Sequence, residues 1–433
     1  MSAALRLLRL ATVGTLVLLL GACASSYPTR SVTYKETALD RPASPPGESE
    51  LLSVRIEAFD AGTLPEDPDV AKGLSPEIRN AEAYYIPVQL KNTMQKSGHW
   101  GPVRVVPKGT REGEVVVSGR IVESDGEILK LAIDVRDAAG VRWFSKEYES
   151  VVDAAAYQKA EQGGIDAFQD LYTRVANDIA AHKQTLKAED RTAIRQVADL
   201  RFGAEFAPAA FDGYLKRDEK PEPGFSSFFK SGSNRTPVYV VTRLPAEDDP
   251  LVQRVNRIRA REELLVDTLD QQYDGLSRGV GEAYTKWRTA RLKEINALRE
   301  SDRVQNKERA KGAAIGILGA LAGVAIASQN RGGNCYGCTS AGLAVGGIAV
   351  AVGVQMAVKA YEQASSETQL HKAALEELGQ SLATDVKPTV VEVEGKTVEL
   401  KGTVEQKFQS WREVLQNLRD SENAPLAPVS PAT

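Results

Sequence analysis

The sequence predicts an α+β protein: a small N-terminal α+β domain with an antiparallel meander, then long helices, a glycine-rich apolar helical hairpin, and a small C-terminal β-hairpin followed by a helix. Three observations carry this expectation. Residues 115–148 alternate apolar and polar side chains around an Asp-Gly turn, the period of half-buried strands. From Val255 to Leu298, apolar residues recur at steps of three and four, the period of a helix with one packed face. Beyond them, 312–328 and 341–358 hold no charged residue and many glycines.

The bulk numbers narrow the function classes. With 433 residues, 42% of them hydrophobic and 26% charged, the chain is composed like a globular protein long enough for two or three cores. A formal net charge of −4, with no basic arm, speaks against a nucleic-acid partner. Three cysteines are too few for a disulfide-dense secreted scaffold, so the chain folds by core packing.

At the N-terminus, Arg6 and Arg9 precede an apolar and small-residue run from Leu10 to Ala22, too short to span a bilayer comfortably. The Leu20-Gly21-Ala22-Cys23 that ends it resembles the bacterial lipobox. This resemblance implies a lipoprotein signal peptide over 1–22 and a mature chain beginning at Cys23, which carries diacylglycerol and a fatty acyl group such as palmitate. Ala24 and Ser25 lack the aspartate typical of inner-membrane retention, so the implied address is the outer membrane, facing the periplasm. Residues 23–50 are polar and proline-containing, which reads as a lipidated, flexible tether.

Residues 51–186 read as one periplasmic α+β domain. Val54–Phe59 alternates as a strand, Ala81–Lys96 is a helix with Pro87 at a boundary or kink, and Val103–Pro107 is a second strand. Val115–Glu123 and Ile128–Arg136 flank Ser124-Asp125-Gly126, whose glycine tolerates the positive φ of a tight turn. A turn at 137–140 leads into Val141–Tyr148, and a helix covers about 164–186. The order of these elements and the Ser-Asp-Gly hairpin resemble the amino-terminal domain of TolB and the curli-secretion lipoprotein. Arg79-Asn80-Ala81-Glu82, together with the stretch from His99 to Pro107, resembles a family of proteobacterial lipoproteins. Neither resemblance brings a catalytic or ligand motif.

Residues 187–246 hold loop signals at Pro221–Gly224 and Ser231–Asn234 and one short strand at Pro237–Val241, and read as a connector. In 247–311, Asp249 caps and Pro250 opens a long amphipathic helix. Its seam, broken by Glu262 and Arg291, suits packing on helices of the same chain or an intermolecular coiled coil. The hairpin of 312–358 has G-x-x-x-G pairs at Gly312/Gly316, Gly319/Gly323 and Gly342/Gly346, which let helix backbones approach closely. Arg309, Lys311 and Lys359 sit at its open ends, as at a membrane interface; burial in a protein core and pairing with a partner are the alternatives. Cys335 and Cys338 in its loop lack the strand–helix setting of a redox centre and the second ligand pair of a zinc site, and read as a local disulfide. In 359–422 a helix is followed by a β-hairpin around Glu394-Gly395-Lys396 and by a last helix opened by a Thr403-x-x-Gln406 capping box. Residues 423–433 read as a disordered tail.

No catalytic motif stands out. His99, His182 and His371 have no partner at ligand spacing, and no metal site or cofactor beyond the lipid on Cys23 is expected. The sequence therefore points to a non-enzymatic structural, assembly or secretion-accessory component of the cell envelope. Its expected partners are membrane lipid, through Cys23 and the 312–358 hairpin, and envelope proteins or a second copy of itself. A periplasmic adaptor held only by its lipid is the alternative, and an envelope hydrolase the third reading.

Overall fold

The computed structural model describes residues 29–66, 71, 73–110, 113–221, 235–246, 248–329, 341–384, 389–393 and 395–423. Of these, 220, 221, 235, 236, 308–329, 341–354, 379–384 and 419–423 are described by their backbone alone. The expected signal peptide, Cys23, the Cys335/Cys338 loop and all of the expected 423–433 tail but Asn423 lie outside the described residues. The chain divides into two compact units: Val32–Leu292 with Thr368–Thr433, and Met1–Ser31 with Lys293–Glu367.

The protein is α+β. In the first unit, β1 (Val54–Glu57), α1 (Pro76–Ser97), β2 (Val103–Val106) and the meander β3 (Val115–Ser124), β4 (Ile128–Asp137) and β5 (Arg142–Val151) build a five-stranded sheet of order β2-β1-β3-β4-β5. β1 is parallel to both β2 and β3, while β3, β4 and β5 run antiparallel. Gly126 takes φ +91° at the predicted turn, and the Asp125 carboxylate accepts from the Glu127 and Ile128 amides at 2.9 and 2.8 Å. α1 is capped by the Ser75 hydroxyl, which accepts from the Ile78 amide, and ends at Gly98 in the left-handed region.

Several elements differ from the sequence expectation, each for a packing reason. α1 starts five residues early and runs through Pro87, because Ile86, Val88 and Leu90 are all buried there. Burying those side chains offsets the roughly 3 kcal/mol that an internal proline costs. A short helix, α2 (Ala154–Gly163), precedes α3 (Gln169–Thr185), where one helix was expected. The connector of 187–246 holds a full helix, α4 (Ala188–Phe206), and a two-stranded hairpin of β6 (Leu215–Pro221) and β7 (Arg235–Val241). That hairpin is clasped to the meander: the Tyr239 amide donates to Ala139 O at 2.8 Å, and Gly140, at φ +84°, passes where a Cβ would lie 2.2 Å from Pro237 O.

The expected tether is docked from residue 33 onward. The Thr33 and Tyr34 amides donate to Val151 O at 3.0 and 3.1 Å, and the Val151 amide donates to the Thr33 hydroxyl at 2.8 Å. Farther on, the Asp40 amide donates to Asn177 Oδ1 and Asn177 Nδ2 donates to Ala38 O, both at 2.9 Å. Among its described residues the segment holds one short 3-10 turn, Glu48–Glu50. Backbone hydrogen bonding to a sheet edge is open to any sequence and leaves no compositional trace.

α5 (Pro250–Gln329) and α6 (Ala341–Thr384) are the long helices, followed by β8 (Thr389–Val393), β9 (Lys396–Leu400) and α7 (Val404–Asn423). The Thr403–Gln406 capping box forms as expected, with the Thr403 amide on Gln406 Oε1 at 2.8 Å and the Gln406 amide on Thr403 Oγ1 at 3.3 Å. Three apolar clusters make up the first unit's core. The largest joins the sheet and α3 to Val280, Tyr284, Trp287 and Leu292 of α5 and Leu375 of α6. The second sets Val391, Leu400, Phe408 and Trp411 on Leu265, Leu269 and Tyr273 of α5. In the third, Phe202, Phe206 and Phe211 enclose Val255 and Ile258. The helical seam from Val255 to Trp287 is thus consumed within its own chain, and an intermolecular coiled coil on that stretch is overturned.

In the second unit, Ile295 is buried and Lys293 Nζ donates to Glu367 Oε1 at 3.0 Å. Gly312, Gly316, Gly319 and Gly323 fall within the helical backbone of α5, and Gly342 and Gly346 within that of α6. How these glycines pack lies outside the described residues. Among the described residues no helix is long and apolar enough to cross a membrane; the side chains of both charge-free runs are not among them, save those of 355–358.

Candidate functional site

The first unit holds three polar constellations, two that fasten α5 and one that opens to solvent. Glu262 and Arg291, the charges that interrupt the apolar seam, are both buried. Glu262 accepts from Arg55 Nη1 of β1 at 3.2 Å, and Glu263 from Arg55 Nη2 at 2.8 Å. One and two turns on, Asp267 accepts from Arg104 Nε of β2 at 2.5 Å, and Asp270 accepts from Lys91 Nζ of α1 at 2.9 Å. Asp274 shares Lys91 Nζ at 2.6 Å. The spacing 263, 267, 270, 274 puts these carboxylates on one helical face, opposite three basic residues of the α+β domain. Asp270 also accepts from the Val105 backbone amide at 2.7 Å, so a side chain of α5 satisfies a donor on the outer edge of β2.

A second, fully enclosed network lies around Arg288 of α5. Its guanidinium donates to both Asp166 oxygens, at 3.2 and 2.6 Å, and stacks 4.3 Å over the Tyr284 ring. Tyr85 donates to Asp166 at 2.9 Å. Next to it, Glu82 accepts from Ser124 at 2.5 Å and from Tyr284 at 2.7 Å, with Arg79 at 3.4 Å. Burial works against the Asp166 carboxylate, yet Arg288 and its hydrogen bonds hold it below the usual range. At Glu82 burial prevails over Arg79, Ser124 and Tyr284, and its carboxyl is pushed up. One buried carboxyl is thus shifted down and its neighbour in the network shifted up. Here Glu82 is 0% and Arg288 1% exposed, so no substrate reaches it, and its work is to lock α5 against α1 and the β3–β4 turn.

The third place is open. α4, the β6–β7 hairpin, α7 and the Lys108-Gly109 loop enclose a cleft of about 650 Å³. Its aromatic lining is Phe211, Tyr239 and Phe408. Arg201 donates to Ala138 O at 2.7 Å and lies 4.7 Å over the Tyr239 ring. Arg217 faces Tyr239 across the ladder, so guanidinium and ring stand on one face of the hairpin. Arg412 is bonded to Glu205 at the opposite wall. The acidic residues of the lining are Glu205 and Asp212.

Of the residues singled out in the sequence, Cys23, Cys335 and Cys338 lie outside the described residues. The three histidines do not converge: His99 pairs with Asp40 at 3.0 Å, His182 stacks on Trp143 at 4.8 Å, and His371 lies on α6. Among the described residues no group of three His, Cys, Asp or Glu could hold a metal ion. The acidic face of α5 passed unnoticed among 58 carboxylates, although its steps of four, three and four were legible. Comparison with protein-family models, with characterised proteins and with solved structures finds no match for this chain.

Proposed function

We propose that the protein is a non-enzymatic lipoprotein of the cell envelope, held in the outer membrane by the lipid on Cys23, that serves as a structural, assembly or secretion-accessory component. Its glycine-rich hairpin, 312–358, enters a membrane or pairs with a second copy. The resemblance of 51–181 to the TolB-type domain belongs to the same proposal, supported by the order of strand, helix, strand and meander. What carries the reading is α5 itself. It is one helix from Pro250 to Gln329, with its N-terminal half bonded into the α+β domain by Glu262–Asp274 and Arg288, and its last turns made of the first charge-free run. α6 begins in the second charge-free run and ends with Leu375 in the same core. A folded body that grips both helices of a charge-free, G-x-x-x-G-containing hairpin is suited to present that hairpin to lipid or to another hairpin.

The test is expression of the Cys23→Ser chain without residues 1–22, followed by fractionation. The expected outcome is a protein that stays with membranes or needs detergent to remain dispersed. A monomer soluble without detergent would sink the hairpin's role and leave an adaptor tethered by its lipid alone.

A further inference from the structure

The cleft beside α4 is independent of the membrane reading. We propose that it binds an acidic, extended peptide segment of a partner protein, laid along β6 with its carboxylates on Arg201 and Arg217 and its apolar side chains on Leu215 and Tyr239.

Charge complementarity makes the case. Two of the cleft's cations are neutralised within the chain, Arg412 by Glu205 and Lys108 by Asp60, the latter at 2.8 Å. Arg201 spends one donor on a backbone carbonyl, keeps its planar face on Tyr239 and also acts electrostatically on Asp137. Arg217 is exposed, and among the described residues it has no hydrogen-bond or ion-pair partner. Arg201 stacks on the Tyr239 ring and Arg217 is the cross-strand neighbour of Tyr239 on the same face; a guanidinium so placed can take a carboxylate in bidentate fashion. The carboxylate opposing them on the rim is Asp212. In a chain whose formal charge is −4, this is a local excess of positive charge.

The hairpin explains why the ligand is extended. β6 pairs with β7 on one side, and among the described residues no strand pairs with its other edge. An unpaired edge offers alternate backbone donors and acceptors to an added strand, with pockets for every second side chain. Leu215 and Arg217 are two apart on β6 and both line the cleft, so a strand added there would alternate an apolar and an acidic contact. A small anion would use the arginines and leave the half-buried Leu215 and the edge of β6 uncontacted.

The experiment is fluorescence anisotropy with the full mature chain in a neutral maltoside detergent. The probe is a labelled decapeptide with glutamate and valine alternating at every second position and threonine between them, which places both on the cleft-facing side of an added strand, and the same peptide with lysine for glutamate is the control. Wild type and R278E, which reverses an exposed charge on α5 away from the cleft, should bind the acidic peptide equally, and the affinity should fall as salt is raised. R217E should weaken it about tenfold or more, and the lysine peptide should not bind. Absence of saturable binding up to about 1 mM peptide, or equal binding by wild type and R217E, would overturn the proposal. So would binding of phosphatidylglycerol vesicles, lost in R217E, without peptide binding, since that result assigns the cleft to a lipid headgroup.

Discussion

At the scale of single residues, the side chains that decide this structure are buried charges. Arg288 is placed among Tyr85, Tyr157, Phe168 and Tyr284, with rings 4.3–5.9 Å from its guanidinium carbon, and Asp166 neutralises it. Replacing such a pair with apolar groups is often neutral, whereas removing one partner is costly, so the arrangement specifies where α5 sits more than how stable the fold is. Glu82 gives a pH signature. Burial raises its folded-state pKa above the unfolded value near 4.5, so between the two the folded state holds a proton that the unfolded state has released. Stability from this group is therefore present at low pH and falls as pH rises through that window. Glu82→Gln keeps an acceptor for Ser124 and Tyr284 and removes the titration. Urea unfolding of the two proteins from pH 4 to pH 8 should show the wild type losing stability relative to E82Q as pH rises. Parallel curves would mean that Glu82 is charged throughout.

At the scale of elements, each edge of the five-stranded sheet is met at one residue by a segment whose sequence does not advertise the role. The 33–34 backbone bonds to Val151 of β5, and Asp270 of α5 bonds to Val105 of β2. Open edges invite pairing with other chains, and each contact occupies one point of an edge. Asp270→Ala removes the acceptor of the Val105 amide and one of the two carboxylates on Lys91, which is itself 2% exposed. We expect a loss of about 1–3 kcal/mol in urea unfolding, with faster hydrogen exchange at the Val105 amide. Unchanged exchange at that amide would show that α5 does not cap the edge. β1, β2, the meander and the C-terminal hairpin with its capping box were legible in sequence because period 2, Asp-Gly and Thr-x-x-Gln are local signals. α2 and β6 were not, because their apolar positions are few; α4 was missed although Ile194, Val197, Ala198 and Phe202 already stand at helical spacing.

At the scale of the whole molecule, the three apolar clusters draw their members from 32–292 and 368–423. The α+β unit should therefore fold without the charge-free hairpin. Replacing 312–358 by a short glycine–serine linker in the Cys23→Ser chain should leave its urea unfolding cooperative and within about 0.5 kcal/mol of the parent. A broad or lost transition would show that the hairpin is part of the core. The same variant should lose whatever membrane or self-association the parent displays.

By itself, the sequence determined the features that local chemistry dictates. Those are the α+β class, the meander and its turns, the capped helices and the charge-free runs. Tertiary structure alone decided the features that depend on partners distant in the chain: that the α5 seam is spent inside the molecule, that Glu262 is bonded to Arg55 and Asp166 to Arg288, and that α4, β6–β7 and α7 enclose a cleft. The division has a physical cause. Periodicity and turn chemistry act over a few residues, whereas a buried ion pair between positions 55 and 262 exists only once the chain has brought them together.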